Sequence, residues 1–390
     1  MIPATNNKLR MYQRLRGLYP PVNPPVVLGI MMRLAVLLLA LTASAQDMKL
    51  KFPSNEWARI KPEDAGYSSE KLEVVRAWLK TQKTTAMHVS IAGQAIFEYG
   101  DVKRVSKLAS IRKSILAMLY GKYVAEGKID LSKTVEQLGL ADVQPFLPIE
   151  KQATLYNLLT ARSGIYHPTA NMELTDLSPR RGSQTPGTYF QYQNWDFNAA
   201  GTAFEKLTGK DIFAALEEDL AKPAGMEDFD RAKQRKNNEM PVTRHPEYAM
   251  YLSARDMARV GLLMLSDGQW NGKRLMPKGW SSRITTLVTP ASEIHPLQLS
   301  MRTRGSLWGY GMLWWVWDAP ITPGLVTGPY QGAFSAMGAN GQYITVLPAM
   351  NLVLAHKVDF DEDGSREISP GQFHAILQML IESGCSGPCK

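Results

Sequence analysis

The chain has 390 residues, 45% of them hydrophobic and 21% charged, with a formal net charge of +8. This is ordinary globular composition, enough for one large domain or two fused lobes. The positive balance is not a nucleic-acid signature: Lys8, Arg10, Arg14, Arg16 and Arg33 all precede the first acid, Asp47, and no basic block follows.

Residues 1–45 read as a leader, with 31–45 as the signal proper. Arg33 supplies the charged start, Leu34–Leu41 the apolar core, and Ala43-Ser44-Ala45 a small-residue cleavage site before Gln46. The core is far shorter than the ~20 residues that span a bilayer. Residues 1–30 are polar and carry Pro20, Pro21, Pro24 and Pro25, so Met31 or Met32 is the expected start. The mature protein is then expected to be exported, periplasmic or secreted, with no stable membrane span after cleavage. The alternative is a cytosolic protein with a disordered tail.

Ser68–Thr81 has the apolar spacing of an amphipathic helix, with Leu72, Val75, Ala77 and Leu79. Met87–Ala92 and Ala95–Tyr99 read as two strands joined at Gly93-Gln94. From Ser110 the pattern turns helical through Ile111, Ile115, Met118, Leu119, Tyr123 and Val124, and Gly127 ends it. Residues 130–290 look mainly helical, with candidates at Leu155–Thr160, Asp196–Leu207, Ile212–Ala221 and Ala254–Leu265. Strand character returns in Leu307–Trp317, Gln342–Leu347 and Leu352–Ala355, before a last helix from Gly371 to Glu382. The expected fold class is α/β in the α+β sense: an antiparallel sheet flanked by N- and C-terminal helices, plus an inserted helical lobe. Within one domain, 46–390, the sheet lobe takes about 46–110 and 295–390, the helical lobe about 111–294, and a cleft lies between them. Cys385 and Cys389, the two cysteines present, suit a small terminal disulfide loop better than a metal site.

Three stretches carry chemistry. Ser110-Ile111-Arg112-Lys113 opens a helix, which sets Ser110 and Lys113 on one face. A serine hydroxyl is a weak nucleophile without a base, and a buried lysine that has lost its proton can be one. The helix N-terminus adds N–H groups suited to developing negative charge. Read alone, the pair also fits an N-cap serine beside a solvated lysine. The second stretch, Pro186-Gly187-Thr188-Tyr189-Phe190-Gln191-Tyr192-Gln193-Asn194-Trp195, contains a Tyr-x-Asn before a helix. Tyr192 could relay a proton there, if a nearby ammonium favours its ionised form, with Asn194 hydrogen-bonding the lysine.

Ser-x-x-Lys followed by Pro-Gly and Tyr-x-Asn-Trp resembles the serine β-lactamase and penicillin-binding-protein superfamily. The closer likeness is to its class C-like esterase and amidase branch, which includes 6-aminohexanoate-dimer hydrolases. Leu158–Gly164, Ser253–Gly261, Gly309-Tyr310-Gly311 and Gly341–Pro348 fit that branch too, so the resemblance spans roughly residues 60–383. It implies a β-lactamase/transpeptidase-like fold and an acyl-enzyme on Ser110, with Lys113 as base. It further implies Tyr192 as proton relay, Asn194 in support, and the Ser110 N–H as half of an oxyanion hole.

The family's third motif, Lys-Thr-Gly, is where this chain departs. Gly332–Gly341 contains no lysine, and two registers are open: Ala333-Phe334-Ser335 or Ala336-Met337-Gly338. The second is preferred because its glycine matches, which places the remaining oxyanion donor near Gly338 or Ala339, beside Met337. Lacking the lysine that helps bind substrate carboxylates, the chain is expected to be an esterase or amidase on small substrates. D,D-peptidase or β-lactamase activity, or a silent binding protein, are the alternatives. Arg302, Arg304 and Lys357 are candidates to replace the missing charge. Tyr166 is a candidate substrate contact and Trp195 a neighbour of Tyr192; Trp314 and Trp315 should face opposite sides of a strand. No Gly-x-Ser-x-Gly elbow, phosphate loop, dinucleotide fingerprint or zinc-protease motif occurs, so no cofactor or metal is expected.

Overall fold

The computed structural model describes residues 48–170, 178–294, 308–318, 328–359, 367–385 and 389; the predicted leader lies outside them. Ala92 and Gly93, at φ 46° and 80°, form the two-residue turn whose twist suits a tight hairpin. A side chain at Gly93 would put its Cβ 1.8 Å from the Lys51 carbonyl oxygen, so glycine is required. The turn sits one residue earlier than expected, because Gln94 already pairs with Ile91. It joins β1 (Ala86–Ile91) to β2 (Gln94–Gly100).

The remaining strands of the main sheet come from the C-terminal part: β3 (Trp308–Tyr310), β4 (Trp315–Trp317), β5 (Phe334–Gly338), β6 (Gln342–Leu347) and β7 (Leu352–Lys357). The seven run in the order β2-β1-β7-β6-β5-β4-β3, and every neighbouring pair is antiparallel. The single strand expected over Leu307–Trp317 is two strands, because the chain reverses at Gly311–Trp314, where Leu313 takes φ 61°.

Helices cover both faces. On one, α1 (Ser69–Leu79) and the terminal α6 (Pro370–Glu382) pack together, and Phe373 stacks on Tyr343 of β6 with ring centroids 3.5 Å apart. Helix α5 (Ala254–Leu265) packs on β1, β6 and β7, with Gly261 set against Val353 and Ile344. It lies within the stretch assigned from sequence to the helical lobe, yet it covers the sheet. Helix α2 (Ile111–Ala125) is buried on almost every side, the pattern of a central helix rather than a surface one. Around it stand α3 (Leu155–Leu159), α4 (Asn194–Thr208) and the short helix Ile212–Ala215, which continues as a π-helical turn over Leu216–Ala221.

The stretch 130–290 is not wholly helical: Arg235–Asn237 pairs with Glu247–Ala249, and Gln269–Trp270 with Lys273–Arg274. Ser106–Lys107, just before α2, pairs with Tyr251–Leu252. Cys385 and Cys389 are joined by a disulfide. Among the described residues no helix is long and apolar enough to cross a membrane, and no His, Cys, Asp and Glu group could hold a metal ion.

Candidate active site

Ser110 is the N-cap residue of α2, and Lys113 lies on the helix's first turn. The lysine Nζ is 2.8 Å from Ser110 Oγ and 2.9 Å from the Tyr192 hydroxyl oxygen. Its ammonium position is closed in by the rings of Tyr192 and Phe197, with centroids 4.5 and 4.6 Å away. Lys113 is only 2% exposed. Burial, with the neighbouring Arg112 charge added, holds its amine well below the ordinary lysine value. An amine so held sits at hydrogen-bond distance from a hydroxyl it can deprotonate.

Tyr192 arrives from the loop before α4, and Arg162 shapes that loop. Its Nε donates to the Gly187 carbonyl, its Nη2 to Thr188 and its Nη1 to Thr289 Oγ1, while Gly187 N–H donates back to the Arg162 carbonyl. The Tyr192 ring is walled by Phe197, Tyr310 and Trp315, the last stacked at 5.7 Å. Burial pushes its phenol up to about 12, against the opposing pull of Ser110 and Arg112. These surroundings favour the neutral phenol, so the condition placed on an ionised relay from sequence, a nearby ammonium that favours it, is not met here.

The end of β5 closes the site. A Cβ built on Gly338 would lie 3.2 Å from Ala109 Cβ and 3.3 Å from Ser110 N. That N–H donates to no acceptor among the described residues. The strand therefore approaches the nucleophile with its glycine. By strand alternation Ala336 shares Gly338's face and Met337 takes the opposite one. Met337 is thus set across from Tyr343, on the side of α6, and away from Ser110. Ala339, next along, is exposed.

Gln342, part of the Gly341–Pro348 stretch but given no role from sequence, locks this junction. Its Oε1 accepts from Ala109 N–H at 2.8 Å, while its Nε2 donates to the Lys107 and Val358 carbonyls. Gly338→Val would push two methyl groups into the space before the Ser110 N–H. The folded variant is expected to be acylated by a fluorophosphonate at least ~10²-fold more slowly, the scale of a lost oxyanion donor. Labelling at the wild-type rate would show that β5 does not line the reacting centre.

The other predicted residues scatter. Asn194 is the half-buried first residue of α4, and among the described residues Lys113's polar contacts are Ser110 and Tyr192, not Asn194. Tyr166 is buried, its hydroxyl without a hydrogen-bond partner among the described residues and pushed above the ordinary phenol range by burial. Trp195 does not pack beside Tyr192; its Nε1 donates to Asp142 at 2.6 Å, among Phe146, His167 and His245.

Trp314 turns to the helix, its Nε1 donating to the Ser114 carbonyl, while Trp315 faces Tyr192, as their adjacency predicts. Lys357 is not placed to meet a substrate carboxylate, since it is buried with Nζ donating to the Ser106 and Leu252 carbonyls. Arg302 and Arg304 lie outside the described residues. Phe197 and Arg112 were not singled out by sequence: what marks Phe197 is its contact with Lys113, and what marks Arg112, although it lies inside the Ser110–Lys113 stretch, is its contacts with Asn198, Tyr248 and Glu247.

The family model described as Beta-lactamase matches residues 86–360, well over half the chain. An uncharacterized protein of Alkalihalophilus pseudofirmus is 30% identical over 122 residues, 30% of this chain and 32% of the relative. The match thus spans about a third of that relative's length. Among solved structures, a protein from Bacillus anthracis described as a candidate 6-aminohexanoate-dimer hydrolase superposes with TM-score 0.57 at 22% identity, over 86% of this chain and 87% of its own. A family VIII carboxylesterase superposes with TM-score 0.57 at 16% identity, over 84% and 98% of the two chains. At these identities the likeness is one of fold.

Proposed function

The chain belongs to the Beta-lactamase family, and from that premise we propose that it is a serine hydrolase cleaving small esters or amides through an acyl-enzyme on Ser110. The observation that carries the reading is the contact of one buried amine, Lys113 Nζ, with both Ser110 Oγ and the Tyr192 hydroxyl. Lys113 takes the Ser110 proton as Oγ attacks the carbonyl carbon. The tetrahedral oxyanion is met by the Ser110 N–H and by backbone N–H from the Gly338–Ala339 end of β5. As the C–O or C–N bond breaks, Tyr192 gives its phenolic proton to the leaving alkoxide or amine and is reprotonated from Lys113. Water then attacks the acyl-enzyme, its proton passing to the Lys113–Tyr192 pair, and the acid leaves as Ser110 Oγ recovers a proton.

The substrate class follows from the wall opposite the lysine. In the preferred register Ala336 takes the place of the family motif's lysine, and Lys357 is spent on carbonyls. Neither offers a cation to a carboxylate beside the scissile bond. The aromatic wall of Tyr192, Tyr310 and Trp315 suits apolar acyl groups. Export through the 31–45 signal belongs to the same reading, supported by the Cys385–Cys389 disulfide, a bond of oxidising compartments.

The test is turnover of short-chain p-nitrophenyl esters and of a chromogenic cephalosporin by wild type, with Ser110→Ala as control. Ester hydrolysis with an acylation burst, lost in the variant, and little cephalosporin cleavage is the expected result. Fast cephalosporin turnover would overturn the substrate class. A folded wild type inert on both would overturn the hydrolase reading in favour of a binding protein.

A further inference from the structure

Arg112 is the residue before the base, and it is buried. Its Nη2 donates to Asn198 Oδ1 at 3.1 Å, its guanidinium lies 4.4 Å over the Tyr248 ring, and its Nη1 has no partner among the described residues. The facing carboxylate, Glu247, is 3.7 Å from Nε and is shared with Asn237 at 2.6 Å and Lys107 at 3.6 Å. A guanidinium held this far from a divided carboxylate keeps much of its positive potential, and the dry interior screens it weakly.

Of the surrounding titratable groups, Glu247 opposes that potential. Tyr192 and Asp196 approach from the α4 side, Tyr248 from the strand Glu247–Ala249, and Tyr310 from β3. Burial raises all four, the three phenols and the Asp196 carboxyl, which disfavours their charged forms. Arg112 and Glu247 are then the charges that Lys113 experiences.

We propose that Arg112, buried one residue before Lys113 and tied to Asn198 and Glu247, is a positioning residue whose charge keeps the proton off Lys113, so that a free amine faces Ser110. The inference rests on the reading of Lys113 as the base. A second cation beside Arg112 would have to be buried against a single shared carboxylate, which adds to burial itself in disfavouring the lysine's proton.

The pH profile of kcat/KM for a short-chain p-nitrophenyl ester tests this. Arg112→Gln can keep the Asn198 hydrogen bond but removes the charge. It is expected to move the acid limb up by about one pH unit, roughly a tenfold loss at a pH on that limb. Arg112→Lys keeps a charge and should restore the limb, whereas Glu247→Gln should move it down. An acid limb unmoved in Arg112→Gln, or moved equally in Arg112→Lys, would overturn the proposal.

Should Arg112→Gln not fold, Glu247→Gln decides alone, since an unshifted or raised limb there is equally fatal. Titration of the Lys113 signal in ¹³Cε-lysine-labelled wild type and Glu247→Gln reads the same proton without turnover. A shifted Lys113 titration in a protein lacking Ser110-dependent hydrolysis would sink the hydrolase reading while leaving the electrostatic one standing.

Discussion

Ser110→Ala and Lys113→Met should each lower kcat/KM for ester hydrolysis by about 10³-fold or more, and the double variant should lose little beyond either single one. The serine supplies the electron pair and the lysine removes its proton in the same step, so removing one leaves the other without a task. General-base assistance alone is worth about 10²–10⁴-fold. Lys113→Met also separates chemistry from fold. The replaced group is an amine buried against the Tyr192 and Phe197 rings. A methionine of similar volume removes the cost of burying a polar head, so the variant is expected to be about as stable as wild type. Stopped-flow acylation and denaturant melts of the three variants check both halves. A Lys113→Met enzyme keeping a tenth of wild-type activity, or losses that multiply in the double variant, would take the base assignment away from Lys113.

Local patterning was enough to place the parts that make this geometry. Helix α5 falls on the expected Ala254–Leu265, because Ser253 caps it, accepting from Asp256 N–H, and its apolar spacing is strong. Strand β6 falls on Gln342–Leu347. Ser110, Lys113 and Tyr192 are legible for a similar reason: two short motifs, each local, whose order along the chain resembles a known arrangement. What periodicity cannot show is which partners meet. Trp195 sits directly after the Tyr-x-Asn, but on a helix two further residues turn the side chain by about 200°, so it is Phe197, on another face, that meets Tyr192. Leu307–Trp317 reads as one strand by composition, and the reversal at Leu313 shows only when β3 and β4 pair. Gln342 and Glu247 look like ordinary polar strand residues. Their effect on the site comes from Ala109 and Arg112, far away in sequence.

Asp142→Ala is expected to cost about 3–5 kcal/mol, the range for removing one partner of a buried charged cluster. Asp142 Oδ1 accepts from Thr243 Oγ1 and from Arg244 and Val143 N–H, and Oδ2 from Trp195 Nε1. His167 Nδ1 is 3.3 Å from the same carboxylate, and its Nε2 is 3.4 Å from Glu150, which Arg181 also grips. The carboxylate thus joins α4, the Tyr166–His167 segment and the 243–245 turn.

Its pH dependence has a definite sign. Burial acts to raise both carboxyls, but hydrogen bonds outweigh it, holding Asp142 well below the usual range and Glu150 at about 2. Burial acts to lower His167, yet its two carboxylate partners win and it is raised. The depressed carboxyls contribute stability that is present above about pH 4 and lost as pH falls through their folded values. The raised histidine contributes stability that is present below about pH 6.5 and lost as pH rises through its folded value. The cluster is therefore worth most between roughly pH 4.5 and 6.5. Denaturant midpoints of wild type and Asp142→Ala across pH should differ most in that window and converge under acid. A difference below about 1 kcal/mol at pH 6, or one that grows steadily toward pH 9, would mean that the His167 cluster is not what holds these segments together.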